Sequence, residues 1–234
     1  MLGVFVNAGA VLIGGFIGLL VKRGIPPRFS GAIMNGLALC VIYIGISGAL
    51  QGENAIILIT SIVLGAACGT ALKLDERLNA LGEKLEARFA KNGEGGEKTP
   101  IAQGFVTASL LFCVGAMAII GSINSGLTGD HTTIYIKSTL DFIASIMLAV
   151  TLGAGVIFSA AAVFAYQGAL VMLAQLLRPL LDNPSLIAEM NCAGSIIIIA
   201  LALNLLGLTK IKVADYLPAI IFAPLITAIT ALMS

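Results

Sequence analysis

Two carboxylates, Asp141 and Glu189, lie inside long apolar stretches that contain few other charges. An ionisable side chain at the centre of a membrane helix costs about 2.5–3.5 kcal/mol, so it requires a partner, water or a ligand. Asp141 has a candidate partner in Lys137, four residues earlier. Glu189 is predicted in the first turn of its helix, where a carboxylate reaches the surface and suits the positive helix dipole. The functional alternative is a cation or proton site to which one or both carboxylates contribute.

Four uncharged polar side chains in similar apolar runs could line the path of a substrate or an ion: Asn35, Asn191, Tyr166 and Gln167. Each of these amide or phenol groups must find a hydrogen bond when it is buried. Hydrogen bonds between helices meet that need in many membrane proteins, so a purely structural role stays open for all four. In the last apolar run, Pro218 and Pro224 each remove a backbone hydrogen bond, which predicts a helix break or a hinge.

Patterns typical of catalysis or metal binding are absent from the sequence. The chain has one histidine and contains no HExxH or Ser–His–Asp arrangement that would activate a metal-bound water or a nucleophile. Its four cysteines lie in apolar runs without CxxC spacing, as expected of small buried residues rather than of disulfides or metal ligands. The formal net charge is +1, without a basic patch that would attract nucleic acid. We therefore predict no enzyme activity, no metal, no cofactor and no nucleic-acid partner.

The composition identifies the elements that must position these residues as membrane helices. Of the 234 residues, 59% are hydrophobic and 11% are charged, and the mean hydropathy is +1.05. A soluble domain carries about 25% charged residues, so most of this chain cannot face water. A helix needs roughly 20 apolar residues to cross the hydrocarbon core, and it pairs its own backbone groups. The sequence predicts an all-α polytopic transmembrane helix bundle in a lipid bilayer.

About eight spans fit the apolar runs: 2–21, 31–50, 55–72, 101–121, 138–156, 160–177, 186–207 and 214–232. The fifth and sixth are hard to separate, because the run after Asp141 lacks charges and only small residues at 153–159 favour a turn. Basic residues resist translocation. With the N-terminus outside, eight spans put 11 basic residues in the cytoplasm and two, Lys137 and Arg178, outside. Seven spans would give 10 against three, so both span counts stay open.

We predict a single integral membrane domain, residues 1–234, in four parts. The parts are a first three-span unit (1–72), a cytoplasmic amphipathic helix with a linker (73–100), two central spans (101–159) and a last three-span unit (160–234). Motifs of the first unit recur in order in the last unit, among them Met-Asn at 34–35 and again at 190–191. With eight spans the equivalent positions are five spans apart, so the repeat is inverted, as in many transporters. With seven spans it is parallel.

The segment 73–98 contains six acidic and six basic residues and repeats leucine at helical spacing, as at Leu74, Leu78 and Leu81. This pattern predicts an amphipathic helix on the cytoplasmic side of the membrane. Such a helix could lie along the membrane interface or pair with a second copy in a homodimer.

Several strings of the sequence resemble one family. They are GLALCVIYIGIS at 36–47, FVTASLLFCVG at 105–115 and GLTGD at 126–130, with further matches at 140–141, 166–168, 189–190 and 217–219. Over the whole chain the sequence resembles the YqgA-like family of uncharacterised bacterial inner-membrane proteins. The resemblance implies a bacterial cytoplasmic-membrane location and names no substrate. It also directs attention to Asp141, Tyr166, Gln167 and Glu189.

The leading hypothesis is a small secondary transporter in which Asp141 and Glu189 bind the coupling ion or a cationic substrate. A channel lined by the same polar groups is the first alternative. A third is a non-transporting membrane scaffold whose cytoplasmic helix binds a partner. In that case deletion of 75–95 abolishes function, whereas substitution of the two carboxylates does not.

Overall fold

The computed structural model of the protein describes residues 1–22, 27–80, 84, 101–114, 116–176 and 183–233. All regular secondary structure in these residues is helical, which confirms the all-α fold class. The helices are α1 (Leu2–Lys22), α2 (Pro27–Ala49), α3 (Ala55–Leu72), α4 (Ile101–Cys113), α5 (Ala116–Leu127), α6 (Thr132–Leu152), α7 (Gly155–Met172), α8 (Pro184–Leu205) and α9 (Ala219–Met233). A short 3₁₀ turn, Val213–Tyr216, precedes α9.

The number of membrane crossings agrees with the predicted number of about eight. Among the described residues, seven helices are long and apolar enough to cross a membrane, the last of them comprising the 3₁₀ turn and α9. The shorter helices α4 and α5 meet at a bend of 60°, and the number of candidate spans is eight if this bent pair counts as one. Large apolar side chains such as Leu20, Tyr43, Ile56 and Met172 are exposed on the outside of the bundle, where the lipid bilayer covers them.

The boundary between the fifth and sixth predicted spans is corrected by the structure. Helix α6 begins at Thr132 instead of 138, and α7 begins at Gly155 instead of 160. The predicted start was too late because Lys137 was assigned to an outer loop, whereas its side chain is buried within α6. The turn is made by Gly153, whose φ of 79° and ψ of −154° favour glycine. This short turn separates two helices that periodicity alone could not divide.

Helix packing divides the bundle into two groups of neighbours. Helix α1 packs on α6 and α7, and α4 and α5 also pack on α7. Helix α2 packs on α8, and α3 and α8 pack on α9. Small residues allow the closest approaches, among them glycines of the spacings Gly14-x-x-x-Gly18 and Gly65-x-x-x-Gly69. A Cβ on Gly18 of α1 would lie 2.4 Å from the carbonyl oxygen of Ile146, and one on Gly65 of α3 would lie 2.5 Å from the backbone nitrogen of Ala219.

The ends of the helices form two faces of the bundle. The basic face contains the ends of α1 and α3, the start of α4, the α6–α7 turn and the chain from 206 to 215, with Lys22, Lys73, Lys210 and Lys212. The far face contains the start of α1, the α2–α3 connection at 50–54, the α5–α6 connection and the start of α8. Side chains of Asn54 and Asn183 cap the first turns of α3 and α8 at this face.

The predicted amphipathic helix at 73–98 is described over 73–80 and at Lys84, and residues 74–80 are helical. Within this part Leu78 packs against a core cluster that includes Val106 and Leu201. The remaining positions of the predicted helix, and the glycine-rich stretch up to residue 100, lie outside the described residues. The described turns therefore dock on the basic face of the bundle.

Candidate functional site

A buried group of three polar side chains joins α1 to α6. Lys137 and Asp141 form an ion pair one turn apart on α6, with 2.5 Å between Nζ and Oδ2. Asn7 on α1 donates a hydrogen bond from Nδ2 to the same carboxylate oxygen, over 3.0 Å. All three side chains are buried, and Asn7 is fully inaccessible. The four-residue spacing of Lys137 and Asp141 thus produces the expected pair, inside the bundle rather than at its surface.

Asp141 lies deeper in the bundle than the sequence predicted. Because α6 begins at Thr132, the carboxylate is in the third turn of the helix instead of the first. The Nζ of Lys137 also lies 6.0 Å from the centroid of the Phe112 ring on α4, at the outer limit of a cation–π contact. Asp141 is the hydrogen-bond acceptor of this ammonium within the described part of the chain. Since an ammonium has three donors, Lys137 can donate to further groups.

Two buried amides, one on α1 and one on α7, have polar atoms without a partner among the described residues. They are Oδ1 of Asn7 and both Oε1 and Nε2 of Gln167 on α7. Asn7 and Gln167 each lie four residues from a valine of one shared core cluster, Val11 and Val163, and in each case toward the far face. Buried polar atoms without partners are uncommon, so these amides are candidates for binding water or a solute.

Tyr166 lies next to Gln167 in the chain but contacts another part of the bundle. Its ring packs against the cluster that contains Ile119, Ile123 and Met190, between α5 and α8. It therefore connects the helix that carries Gln167 to the helix that carries Glu189.

Glu189 is the centre of a second polar group, at the far face. Its carboxylate is in the second turn of α8 and is buried, although the structural interpretation of the sequence placed it within reach of the surface. Oε1 accepts hydrogen bonds from the backbone N–H groups of Glu53 and Asn54, both over 2.7 Å. Oε2 has no partner among the described residues. The α2–α3 connection thus folds over the carboxylate and occupies one of its two oxygens.

Two further hydrogen bonds join α8 to the same connection. Asn191 donates from Nδ2 to Oε1 of Gln51 over 2.8 Å, and the hydroxyl of Ser185 donates to Oε2 of Glu53 over 2.7 Å. Asn191 therefore contributes to the far-face group, next to Glu189.

A cavity of about 420 Å³ opens beside Glu189. We call it the far-face cavity. It lies between α3, α8, α9 and the α2–α3 connection, and its polar lining includes two carboxylates and three hydroxyls: Glu53, Glu189, Ser185, Thr227 and Thr230. Its volume is in the range of small-molecule sites.

The predicted site residues thus form two groups instead of one. Asp141 belongs to the group on α1 and α6, whereas Glu189 and Asn191 belong to the far-face group. Gln167 is buried on α7 without a partner among the described residues. The two carboxylates share no hydrogen-bond partner within the described ranges. Asn35 joins neither group, because it is exposed on the part of α2 nearer the basic face.

The predicted helix break coincides with an irregular segment of the last span. Pro218 lies between the 3₁₀ turn and the start of α9, and Pro224 lies inside α9. Both flank the part of α9 that packs on α3, so they are placed where a hinge would change the α3–α9 contact. The hinge itself stays a prediction.

A third polar group, at the basic face, was missed by sequence reasoning. The backbone N–H of Asp75 donates to Oδ1 of Asp215 over 2.9 Å, and the N–H of Ala214 donates to Oδ1 of Asp75 over 3.4 Å. The carboxylate of Asp215 thus accepts from the helical segment that contains Asp75, and the carboxylate of Asp75 accepts from the 3₁₀ turn that contains Asp215. Burial raises the pKa of Asp75 above its ordinary value, and the nearby charge of Asp215 acts in the same direction. A smaller cavity of about 190 Å³ lies beside Asp75, lined also by Asn204 of α8.

The local sequence contained signals for some of the missed residues. Asn54 precedes an apolar run, which is typical of a helix N-cap, and it identifies the end of the connection that covers Glu189. The Asp75–Asp215 contact spans 140 residues of chain, and no local pattern predicts it.

Comparisons with known proteins identify relatives over nearly the full chain. A family profile with the description "Protein of unknown function (DUF554)" matches residues 2–228. An "Uncharacterized membrane protein YdfK" of Bacillus subtilis (strain 168) is 31% identical over 230 residues, covering 97% of this chain and 95% of the relative. An "Uncharacterized protein YqgA" of Escherichia coli (strain K12) is 30% identical over 232 residues, covering 99% and 98%. No solved structure matches the chain.

Proposed function

We propose that the chain, which belongs to the DUF554 family, is a small secondary transporter of the bacterial cytoplasmic membrane. The observation that carries the proposal is the buried Lys137–Asp141 pair held by Asn7 across two helices. Charged residues inside a membrane bundle are rare and mark ion or substrate pathways by default. Gln167, a buried amide without a partner among the described residues, lies on α7, which packs on the helix that carries Asn7.

The charge of this site couples a solute to a proton. A buried site is most stable when its total charge is zero, and Lys137 and Asp141 already cancel each other. A cation that enters adds a positive charge, which is balanced when a proton leaves the site. An anion that enters is balanced by a proton that Asp141 accepts. Either process links solute movement to proton movement, which is one form of the ion coupling that secondary transporters use.

The distribution of basic residues supports one orientation. Lys22, Lys73, Lys210 and Lys212 lie at the basic face, and basic residues in short loops remain in the cytoplasm. The basic face is then cytoplasmic, and the far face and the N-terminus are outside.

Helix packing supports an inverted repeat of three helices. Helices α1, α2 and α3 each pack against the helix predicted to be its counterpart, namely α7, α8 and α9. Each pair is antiparallel, because residues later in the first helix lie near residues earlier in its counterpart: Met1 near Gly168 and Gly15 near Ile157, Gly45 near Ile199 and Gly52 near Cys192, and Gly65 near Ala219 and Gly69 near Asp215. Counterparts that run in opposite directions are what an in-plane pseudo-two-fold axis produces.

Proton movement in proteoliposomes tests the proposal. The purified protein is reconstituted with a pH-sensitive dye inside, and gradients of alkali cations, small ammonium ions and small organic anions are applied in turn. We expect one class of solute to drive proton movement that saturates with concentration. Asp141→Asn, which keeps an acceptor for Asn7 but cannot titrate, should reduce this movement at least tenfold. Asp130→Asn is the matched control, since Asp130 is an exposed carboxylate of the α5–α6 connection.

Two outcomes would reject the transporter proposal. Proton movement that is equal in Asp141→Asn and in the wild-type protein would remove the buried pair from the mechanism. Unitary current steps in planar bilayers, without saturation or exchange, would identify a channel instead.

A further inference from the structure

We infer that the far-face cavity is a binding site for a small cation, either an alkali-metal ion or a small organic ammonium, with Glu189 as its charged ligand. The inference deepens the proposed function, because it rests on that function for the role of the cation as the transported or coupling ion. Binding itself is a property of the cavity and can be tested without transport.

The first observation is the state of the Glu189 carboxylate. The residue is 1% exposed, and the two loop amides hold Oε1. Oε2 is buried without a partner in the described part of the chain, and Glu189 lines the far-face cavity. A buried carboxylate oxygen requires a donor or a cation. The cavity is the space from which either can reach it.

The second observation is the charge of the lining. Glu53 and Glu189 contribute two carboxylates, and the described lining residues include no lysine, arginine or histidine. Oε2 of Glu53 already accepts a hydrogen bond from Ser185, whereas Glu189 keeps a free oxygen. The lining therefore has a net negative charge that a cation would neutralise.

The third observation is the direction of the hydroxyl groups. Thr227 donates its hydroxyl hydrogen to the carbonyl of Ala223, and Thr230 donates to the carbonyls of Ile226 and Thr227. With the hydrogens directed into their own helix, the hydroxyl oxygens offer lone pairs to an occupant of the cavity. Alkali-metal and other hard cations bind through oxygen ligands of this kind, and an ammonium donates hydrogen bonds to them.

Backbone N–H groups at the helix ends beside the cavity, which could attract an anion, already donate hydrogen bonds within the protein. Backbone N–H groups at the start of α3 donate to Asn54, those at the start of α8 donate to Asn183, and those of the α2–α3 connection donate to Glu189. These donors are the groups that would hold an anion at a helix N-terminus. Because these donors already form hydrogen bonds within the protein, the polar groups that the cavity offers to a ligand are hydrogen-bond acceptors.

A cation in this cavity selects between the two exchanges that the buried pair allows. A cation passing from the far face to the Lys137–Asp141 pair would be balanced by a proton leaving the site, so the transporter would exchange a cation for a proton. Proton–anion cotransport would need an anion in the cavity, where the free groups are acceptors.

Thermal unfolding of the detergent-purified full chain tests the site. The probes are LiCl, NaCl, KCl and methylammonium chloride, with N-methylglucamine chloride keeping the ionic strength constant. A ligand that binds only the folded state raises the unfolding midpoint, by roughly 5 °C at a hundredfold excess over Kd. We expect a saturable rise for at least one probe. The salt that produces the rise shows whether the site binds an alkali cation or methylammonium.

Substitutions assign the rise to the cavity. Glu189→Gln keeps the acceptor for the two loop amides but removes the charge, and it should weaken the apparent affinity at least tenfold. Thr227→Val removes a cavity oxygen with little change of shape and should weaken it severalfold. Thr60→Val is the matched control, because Thr60 makes the same bond within its helix, to Ile56, on an exposed surface of α3.

Either of two results would overturn the inference: no saturable rise with any of the four salts, or a rise that persists unchanged in both Glu189→Gln and Thr227→Val. The proposed function fails separately. Cation binding that depends on Glu189, in a protein whose liposomes show no solute-driven proton movement, would keep the site and reject the transporter.

Discussion

At the scale of single residues, the Lys137–Asp141 pair has two effects that can be measured separately, one on stability and one on transport. Lys137→Met leaves the Asp141 carboxylate buried with Asn7 as its remaining polar contact. Removing one partner of a buried ion pair costs about 3–5 kcal/mol. We expect a fall of roughly 10 °C in the unfolding midpoint, measured in detergent at neutral pH.

The double variant Lys137→Met with Asp141→Asn separates these effects. It removes both charges and keeps an amide opposite Asn7, so most of the lost stability should return while solute-driven proton movement does not. Lys212→Met is the surface control. Its pair with Glu76 has side chains that are 60% and 55% exposed, and such pairs contribute less than about 1 kcal/mol. Equal midpoints for Lys137→Met and Lys212→Met would show that the buried pair is dispensable for folding.

At the scale of helices, the packing of α1 on α6 depends on glycines at specific positions. A Cβ at position 18 would lie 2.4 Å from the Ile146 carbonyl oxygen and 2.7 Å from the Ala149 side chain, whereas a Cβ at position 9 meets nothing within 4 Å. We expect Gly18→Ala to destabilise the protein by about 1–3 kcal/mol, because the two backbones must separate. Gly9→Ala should be neutral or slightly stabilising, since alanine favours helix. Similar losses in both variants, measured by thermal unfolding, would contradict this account of the interface.

The contact between the segment at 73–80 and the 3₁₀ turn has a pH dependence that follows from Asp75. Burial raises its pKa above the ordinary 3.8, so the folded state binds this proton more tightly than the unfolded state. Ionisation therefore lowers stability, and the wild-type protein gains stability as the pH falls through the folded pKa toward 3.8. Asp75→Asn lacks this gain. We therefore expect the unfolding midpoint of Asp75→Asn, minus that of the wild-type protein, to decrease as the pH is lowered from 7 to 4.

Asp130 provides a control of opposite sign. Hydrogen bonds from the side chain and backbone of Thr132 lower its pKa, so the stabilisation from Asp130 is present above its ordinary value and is lost at lower pH. The midpoint difference between Asp130→Asn and the wild type should increase only as the pH falls below about 4. A parallel pH trend for the two variants would remove Asp75 as the cause.

The helices were largely predictable from the sequence, and their contacts were not. Apolar runs between charges located the spans because a bilayer requires about 20 apolar residues in a row. The bend between α4 and α5 was missed because the run at 101–121 contains no charge or proline to mark it. The pairing of Asp141 with Lys137 was predictable, since it lies within one helix. The bonds of Glu189 to the α2–α3 connection join residues about 135 positions apart, which no local pattern encodes.

At the scale of the whole molecule, α8 connects the two faces. It is the most buried of the seven described helices that are long and apolar enough to cross a membrane, with 61% of its apolar window inside the bundle. Glu189 near its start lines the far-face cavity, and Asn204 near its end lines the basic-face cavity beside Asp75. A movement that closed one cavity and opened the other would therefore act on α8 and on its neighbour α9, which contains Pro224. In the transporter proposal, these two helices carry alternating access.

The arrangement of the faces also predicts the orientation of the whole chain in the membrane. In a background with the four native cysteines replaced by alanine, Thr128→Cys places a thiol on the α5–α6 connection at the far face, and Leu208→Cys places one on the exposed chain between α8 and the 3₁₀ turn at the basic face. Since basic loops remain in the cytoplasm, a membrane-impermeant maleimide should label Thr128→Cys in intact cells and Leu208→Cys only after permeabilisation. The reverse pattern would place the basic face outside the cell. Labelling of both positions from the same side would contradict the bundle itself, because α6, α7 and α8 would then fail to carry the chain across the membrane an odd number of times.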